Sequence, residues 1–389
     1  FFPRGGSAQV VRYLASWLGR GSRWRARVVA GSLGGPGEPG HAPSFFSGVD
    51  DLHVVAYDEA LRTADPLTAS PPMHPSYEDR PGAPDRVFAA LDDATYEHLV
   101  AEWERVLRRP GVLDGASVAH LHHLTPVHEA LGRIAPALPV ITHLHGTELL
   151  MLDHIAAGAR WPHAAAWGER LRRWAGRSVR LVASSASAAR DAVGALGVPA
   201  ERVSVVPNGI DPEIFDGRRA PPAERASLWR RLLIDEPHGW TAEDPRPGAL
   251  RYAEADLAPL RDPRAVTVAF VGRFTAVKRI PVLLRAHERA RARLPVPLPL
   301  IFLGGAPGEW EGEHPADLAR RSAAADEVFL AGWWGHRETA LALGCSDLLA
   351  VPSARERFGQ VYVEAMAMGV PPIAVARGAP AEIIDADPT

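Results

Sequence analysis

Short β-branched and aliphatic runs alternate with stretches of helical apolar spacing along most of this chain. No other feature limits the fold as strongly. In the first half the strand-like runs fall at 27–30, 54–57, 118–121, 140–144 and 179–183. In the second half they fall at 265–271, 299–303, 328–330, 347–351 and 373–376. Helical spacing occupies 7–18, 86–108, 280–291, 315–325, 336–343 and 359–368. Strand-helix alternation of this kind predicts parallel sheets with crossover helices, and 389 residues suffice for two such units. The expected class is therefore α/β, as two Rossmann-like domains in tandem. We place the first at 1–212 and the second at 264–389. Between them, 213–263 reads as an insertion or linker, because 216–263 is proline-studded and aperiodic except for a helical piece at 223–233. The proline-rich stretch 67–85 reads as a long surface loop. Ligands of such sheets bind beyond the C-terminal strand ends, and two domains add a cleft between them.

Bulk properties exclude several classes. A net charge of -3 gives no electrostatic drive toward nucleic acid and no basic tail for a membrane surface. The single cysteine, Cys345, permits no intrachain disulfide, which fits a reducing compartment. Apolar runs such as 266–271 and 298–303 are far shorter than the ~20 residues of a membrane helix. No signal peptide is evident, although the chain opens on Phe1-Phe2-Pro3 without a methionine. Gly31, Gly34, Gly35 and Gly37 follow a strand, but Pro36 and Pro39 interrupt them and no dinucleotide fingerprint forms.

Four stretches could carry chemistry. In ARERFGQVYVEAMAMG (354–369), Glu356 lies in a loop after a strand, Gly359-Gln360 open a helix, and Glu364 lies one turn into it. Two carboxylates beside free helix N–H groups suit a hydroxyl-rich or anionic ligand. In AFVGRFTAVKRI (269–280), Arg273 and Lys278 flank a loop between strand and helix. Lys278 is the sole lysine among 43 basic residues, and an arginine fork with a compact ammonium suits a diphosphate. Gly5-Gly6 stands at a helix start. In ITHLHGTELL, His143 and His145 share a strand face ahead of Gly146-Thr147-Glu148, and His145 at the strand end is a polar contact or acid-base candidate. Histidines 120, 122, 123 and 128 also cluster, but no HExxH or cysteine spacing marks a zinc site, so the expectation is of surface or core histidines and no metal. Asp385-Ala386-Asp387 mimics a metal-binding triplet at the chain end and is discounted.

Taken together, VGRFTAVKR, FLGGAPG, VFLAGWW, SDLLAVPSARERFGQVYVEAMAMGVPPIA and GAPAEII resemble the retaining glycosyltransferases of family 4, which share the GT-B fold. PRGGSAQVVRYLASWL, HLHGTELL and VVPNGIDPEIF are also similar to that family. Glu356 and Glu364 match its E-x7-E hallmark. The resemblance implies transfer of a sugar from a nucleotide-diphosphate donor to a glycan, lipid-linked or small-molecule acceptor. Arg273 and Lys278 would bind the diphosphate and Glu364 the ribose. Glu356 would hold the donor sugar with the backbone N–H groups of Phe358, Gly359 and Gln360. His145 would face the reacting sugar, Gly6 the phosphates or acceptor, and Gly332 with Trp333 the base. It implies retained anomeric configuration with no enzymic nucleophile, no cofactor and no required metal. Substrate supply implies a cytoplasmic location, with association at the inner membrane face left open. Two departures stand out: the family's strand before the Gly-Gly loop and its helix beyond GAPAEII have no counterpart here, so truncation at both ends is expected. A GT-B epimerase or phosphorylase, or a silent nucleotide-sugar-binding module, remains open on the same residues.

Overall fold

The computed structural model describes residues 6–21, 23–38, 40–78 and 85–384. The chain divides into two compact units, Phe1–Asn208 and Gly209–Thr389.

The first unit holds two parallel sheets among its described residues. β1 (Arg27–Ser32) pairs with β2 (Asp51–Ala56), and helix Gly6–Gly21 packs Ala8, Val11 and Ala15 against their small core. The second sheet runs β3 (Ala119–His122), β4 (Val140–His143), β5 (Arg180–Ala183) and β6 (Val203–Val205) in that order. β6 escaped the sequence reading, since a three-residue strand carries no measurable period. The helix expected over 86–108 begins only at Asp93, because the Asp92 side chain accepts the Thr95 N–H at 2.8 Å and caps it there. Within the proline-rich stretch 67–85, the described residues 67–78 are anchored rather than loose. Leu67, Met73 and Tyr77 are buried in the main core, and Tyr77 Oη donates to the Leu124 carbonyl at 2.6 Å.

Among its described residues the second unit holds one sheet of five parallel strands, in the order β11-β10-β7-β8-β9. Their ranges are β7 (Val268–Gly272), β8 (Leu300–Gly304), β9 (Val328–Gly332), β10 (Leu348–Ala350) and β11 (Pro372–Ile373). The apolar runs of β8 and β9 are buried almost throughout, as a sheet covered on both faces requires. The strand expected at 373–376 is only a two-residue pair, and the helix expected over 315–325 ends at Arg320. From β7 the chain steps to β8 and β9 on one side, and the connection after β9 then crosses back to place β10 on the other side of β7, followed by β11. The loops after β7 and β10 therefore open side by side at the C-terminal strand ends.

The segment read as a separate linker at 213–263 differs from that expectation, because it belongs to the second unit's core. Helix Pro222–Arg230 continues as a π-helical turn, Arg231–Asp235. Leu228, Trp229, Leu232, Leu233, Trp240, Leu257 and Leu260 join the cluster that buries the sheet. Trp240 Nε1 donates to the Gly305 carbonyl at 2.9 Å, and the Leu330 N–H of edge strand β9 donates to Tyr252 Oη at 2.8 Å. Prolines broke the helical period without removing the apolar side chains, which is why the segment looked peripheral in sequence. Among the described residues no helix is long and apolar enough to cross a membrane.

Trp240 is 1% exposed, so Trp240→Ala removes a fully buried indole. It is expected to destabilise the second unit by about 3–5 kcal/mol, measured by urea unfolding. A loss below about 1 kcal/mol, the range of ordinary surface substitutions or little more, would mean that the segment is an appendage.

Candidate functional site

The loops at the strand-order reversal carry Arg273, Lys278, Glu356, Phe358 and Gly359 of the residues singled out in the second half. Arg273 follows β7 directly and is exposed. A single 3-10 turn, Ala276–Lys278, swings the chain back toward β10. The Ala354 N–H donates to the Val277 carbonyl at 2.8 Å, which ties the two loops together. Across this tie Lys278 Nζ forms an ion pair with Glu356 Oε1, with the side chains only 17% and 14% exposed. Such a pair is screened less than a surface pair, and neither charge is free to wander. Sequence reasoning assigned these two residues to different parts of one ligand. The structure adds that they hold each other.

Gly359 introduces the next helix, Gln360–Ala367, at φ +91°. A Cβ there would lie 2.4 Å from Tyr362 Cδ2, so only glycine lets the chain turn against that buried ring. Tyr362 Oη in turn donates to the Val351 carbonyl at 2.8 Å, fixing the loop to the end of β10. Phe358 is buried, and Gln360 Nε2 donates to the Gly209 carbonyl at 2.8 Å.

Glu364 is 4% exposed on that helix. Burial alone pushes its carboxyl up to about 8, so near neutral pH it is a protonated acid. Its neighbour His336 places Nε2 3.9 Å from Glu364 Oε1, beyond hydrogen-bond reach. The sequence suggested a carboxylate acceptor. A neutral carboxyl both donates and accepts, which suits a pair of vicinal hydroxyls equally well.

Gly332 ends β9 at φ +76°, two strands away from β7. A Cβ on it would lie 2.1 Å from the His238 carbonyl oxygen. The 213–263 segment thus packs directly against Gly332, leaving no room for a side chain there. His238 stacks on Trp334 with centroids 3.8 Å apart, and its Nδ1 lies 3.0 Å from the Trp333 carbonyl.

In the first unit Gly6 begins helix Gly6–Gly21, with nothing within 4 Å of where a Cβ would stand. Gly5 lies outside the described residues, as does the Asp385-Ala386-Asp387 triplet. His145 follows β4, and Gly146 at φ +98° then starts helix Thr147–Ala156. The His145 N–H donates to Glu148 Oε1 at 3.0 Å, and Glu148 Oε2 lies 3.1 Å from His123 Nδ1. Glu148 is fully buried. Burial opposes its ionisation, yet the His123 ring and the backbone N–H groups outweigh this and lower its pKa. His122 Nδ1 lies 2.9 Å from His145 Nε2. Burial, reinforced by the neighbouring imidazoles, holds His145 well below the ordinary histidine range, so the ring is neutral. The pairing of His122 and Glu148 with His145 was not anticipated. Its signal lay in the H-x-H spacing at 120–122 and in an acid one residue into a helix.

The clustered histidines divide. His128 is a core residue with both ring nitrogens engaged, Nε2 lying 2.8 Å from Thr142 Oγ1 and Nδ1 3.0 Å from the Thr125 carbonyl. His120, His122 and His143 instead place one ring nitrogen each within 4.8 Å of the others.

Comparison with known proteins gives two family matches. "Glycosyltransferase Family 4" matches residues 4–214, and "Glycosyl transferases group 1" matches residues 265–389. The unmatched gap of 215–264 coincides with the inserted segment. D-inositol 3-phosphate glycosyltransferase of Salinispora tropica is 30% identical over 69% of this chain and 53% of its own length. Its counterpart in Stackebrandtia nassauensis is 31% identical over 51% of this chain and 39% of its own. The chain thus spans about half the length of the curated relatives it matches. Among solved structures, HepE of Anabaena in complex with UDP is 16% identical with a TM-score of 0.57, over 97% of this chain and 79% of its own. WaaG, a glycosyltransferase of lipopolysaccharide biosynthesis, is 15% identical with a TM-score of 0.58, over 99% and 82%. These likenesses establish the expected GT-B fold of two Rossmann-like domains.

Glu364 makes stability depend on pH. Its folded pKa of about 8 exceeds the ordinary 4.5, so between these values the folded state holds a proton that the unfolded state has lost. Its contribution is fully present below about 4.5 and declines until about 8, by at most about 1.4 kcal/mol per pH unit. Glu364→Gln is expected to flatten that decline in urea unfolding measured from pH 5 to 8; an unchanged slope would place the titration elsewhere.

Proposed function

This chain belongs to glycosyltransferase family 4, and on that premise we propose that it transfers a sugar from a nucleotide-diphosphate donor to an acceptor hydroxyl, with retained configuration. The observation that carries the reading is the Lys278–Glu356 pair at the strand-order reversal, beside a helix start that leads to buried Glu364. A diphosphate arriving there meets the Arg273 fork, the Lys278 ammonium and the unpaired N–H groups of the helix that opens at Gln360.

Negative charge develops on the diphosphate as the glycosidic bond breaks. Arg273, Lys278 and the helix start stabilise that charge in place, with no requirement for a metal at the phosphates. Lys278, already held by Glu356, loses little side-chain freedom when the donor binds. Glu356 then accepts hydrogen bonds from the sugar, with the N–H groups around Phe358, Gly359 and Gln360. Glu364 exchanges hydrogen bonds with the ribose hydroxyls as a neutral acid. The family resemblance assigns His145, a neutral imidazole in the first unit, to the reacting sugar. No side chain is assigned as a nucleophile; retention then requires the acceptor hydroxyl to attack from the face the leaving diphosphate vacates, its proton passing to an oxygen of that leaving phosphate as the sugar–phosphate bond breaks. The location follows the nucleotide-sugar supply, in the cytoplasm.

Solved HepE holds UDP, and the curated relatives are named for D-inositol 3-phosphate. UDP-sugars and inositol phosphate are accordingly the first donor and acceptor to try.

Calorimetric titration with UDP, GDP and ADP tests the reading. One nucleotide is expected to bind, and Lys278→Ala is expected to weaken it by roughly 10- to 100-fold, the range of a lost charge-assisted hydrogen bond. Glu356→Gln is expected to abolish transfer while shifting nucleotide affinity only a few-fold. Absence of binding by all three nucleotides in the folded chain would overturn the donor site. Conversion of a UDP-sugar without acceptor would replace transfer by epimerisation.

A further inference from the structure

We infer that His120, His122 and His143 form a binding site for a divalent transition-metal ion of the zinc class, with its fourth position open. His120 and His122 are two residues apart on β3 and therefore project from the same face. His143 on β4 pairs in register with His122, which brings it to that face as well. One ring nitrogen from each lies within 4.8 Å of the other two.

A second observation points to a ligand. His143 is 3% exposed, and neither of its ring nitrogens has a hydrogen-bond partner. A buried imidazole normally satisfies at least one nitrogen, as His128 does on the neighbouring helix. Around His143 the other polar rings are themselves imidazoles, with centroids 5.7 Å (His120), 5.2 Å (His122) and 4.6 Å (His145) away. A shared ion supplies what these rings cannot supply to one another.

The donor set names the metal class. Neutral imidazoles suit Zn²⁺, Co²⁺, Ni²⁺ and Cu²⁺, whereas Mg²⁺ and Ca²⁺ require oxygen ligands. The nearby carboxylate, Glu148, is committed to His123 and to the His145 N–H. Tetrahedral zinc with bonds of about 2.0–2.1 Å draws its nitrogens to about 3.3–3.4 Å apart, so the cluster must contract from its present spacing. The rings also stand nearly parallel, at 12° to 30°, while an ion lies in the plane of each ring it binds. His120 is exposed and its ring can turn into place, and the same opening admits the ion.

Binding reaches one residue further. His122 Nδ1 already faces His145 Nε2 at 2.9 Å, which leaves Nε2 of His122 for the ion. With His122 held that way, its Nδ1–H donates to His145 Nε2, and His145 carries its own proton on Nδ1. That last consequence matters only if His145 serves the proposed transfer; the metal site itself stands apart from that reading.

Titration of the chain with Co²⁺, followed by visible absorption, tests the site without any sugar nucleotide. One equivalent is expected to give the intense bands of four- or five-coordinate cobalt, displaced by Zn²⁺ and untouched by excess Mg²⁺. His143→Ala and His120→Ala are each expected to abolish the bands, whereas His154→Ala on the adjoining helix leaves them unchanged. His143 is buried and its replacement could unfold the unit, so exposed His120 decides the matter. Absence of saturable Co²⁺ or Zn²⁺ uptake by the folded chain, or uptake unchanged in folded His120→Ala, would overturn the proposal.

Discussion

The candidate donor site in the second unit depends on a reversal of strand order. Because the chain leaves β7 toward β8 and leaves β10 toward β11, the connections after these two neighbouring strands lead away from each other, and no crossover helix packs between their loops. They are left adjacent and open at the ends of two buried strands. Lys278 and Glu356 come from sequence positions 78 residues apart and meet only because of this topology. The backbone tie from Ala354 to Val277 and the glycine turn at 359 then fix the spacing, so the side chains rest on rigid elements although they sit in loops.

Much of this was legible in the sequence because it is written locally. The strand–glycine–basic loop at 269–280 and the loop–glycine–helix at 354–369 each announce their structure within a dozen residues. Strands with clear apolar runs, such as β7 and β8, appeared close to where they were expected. What failed was whatever depends on partners distant in the chain. β6 is too short to show a period, and the helix start at Asp93 is decided by one capping side chain. The inserted segment looked like a linker because its prolines hide an apolar set that only the folded sheet collects.

The acid and the histidines teach the same point about chemistry. Sequence identifies Glu364 as a carboxyl, but burial decides that it is a protonated one. Sequence shows H-x-H at 120–122 and again at 143–145, yet metal-ligand rules based on spacing see nothing, because they read one strand at a time. Register between β3 and β4 is what sets His122 opposite His143.

The inserted segment has a further effect on the molecule's behaviour in company. β9 is the last strand of its sheet, and such a strand offers unpaired amides to any other chain that can lie alongside. The hydroxyl of Tyr252 occupies the Leu330 amide, and the aromatic and aliphatic residues around it join the sheet's core. At the opposite border β11 is only two residues long, too short to template a partner. One border is therefore shielded and the other curtailed, which discourages growth of the sheet from copy to copy.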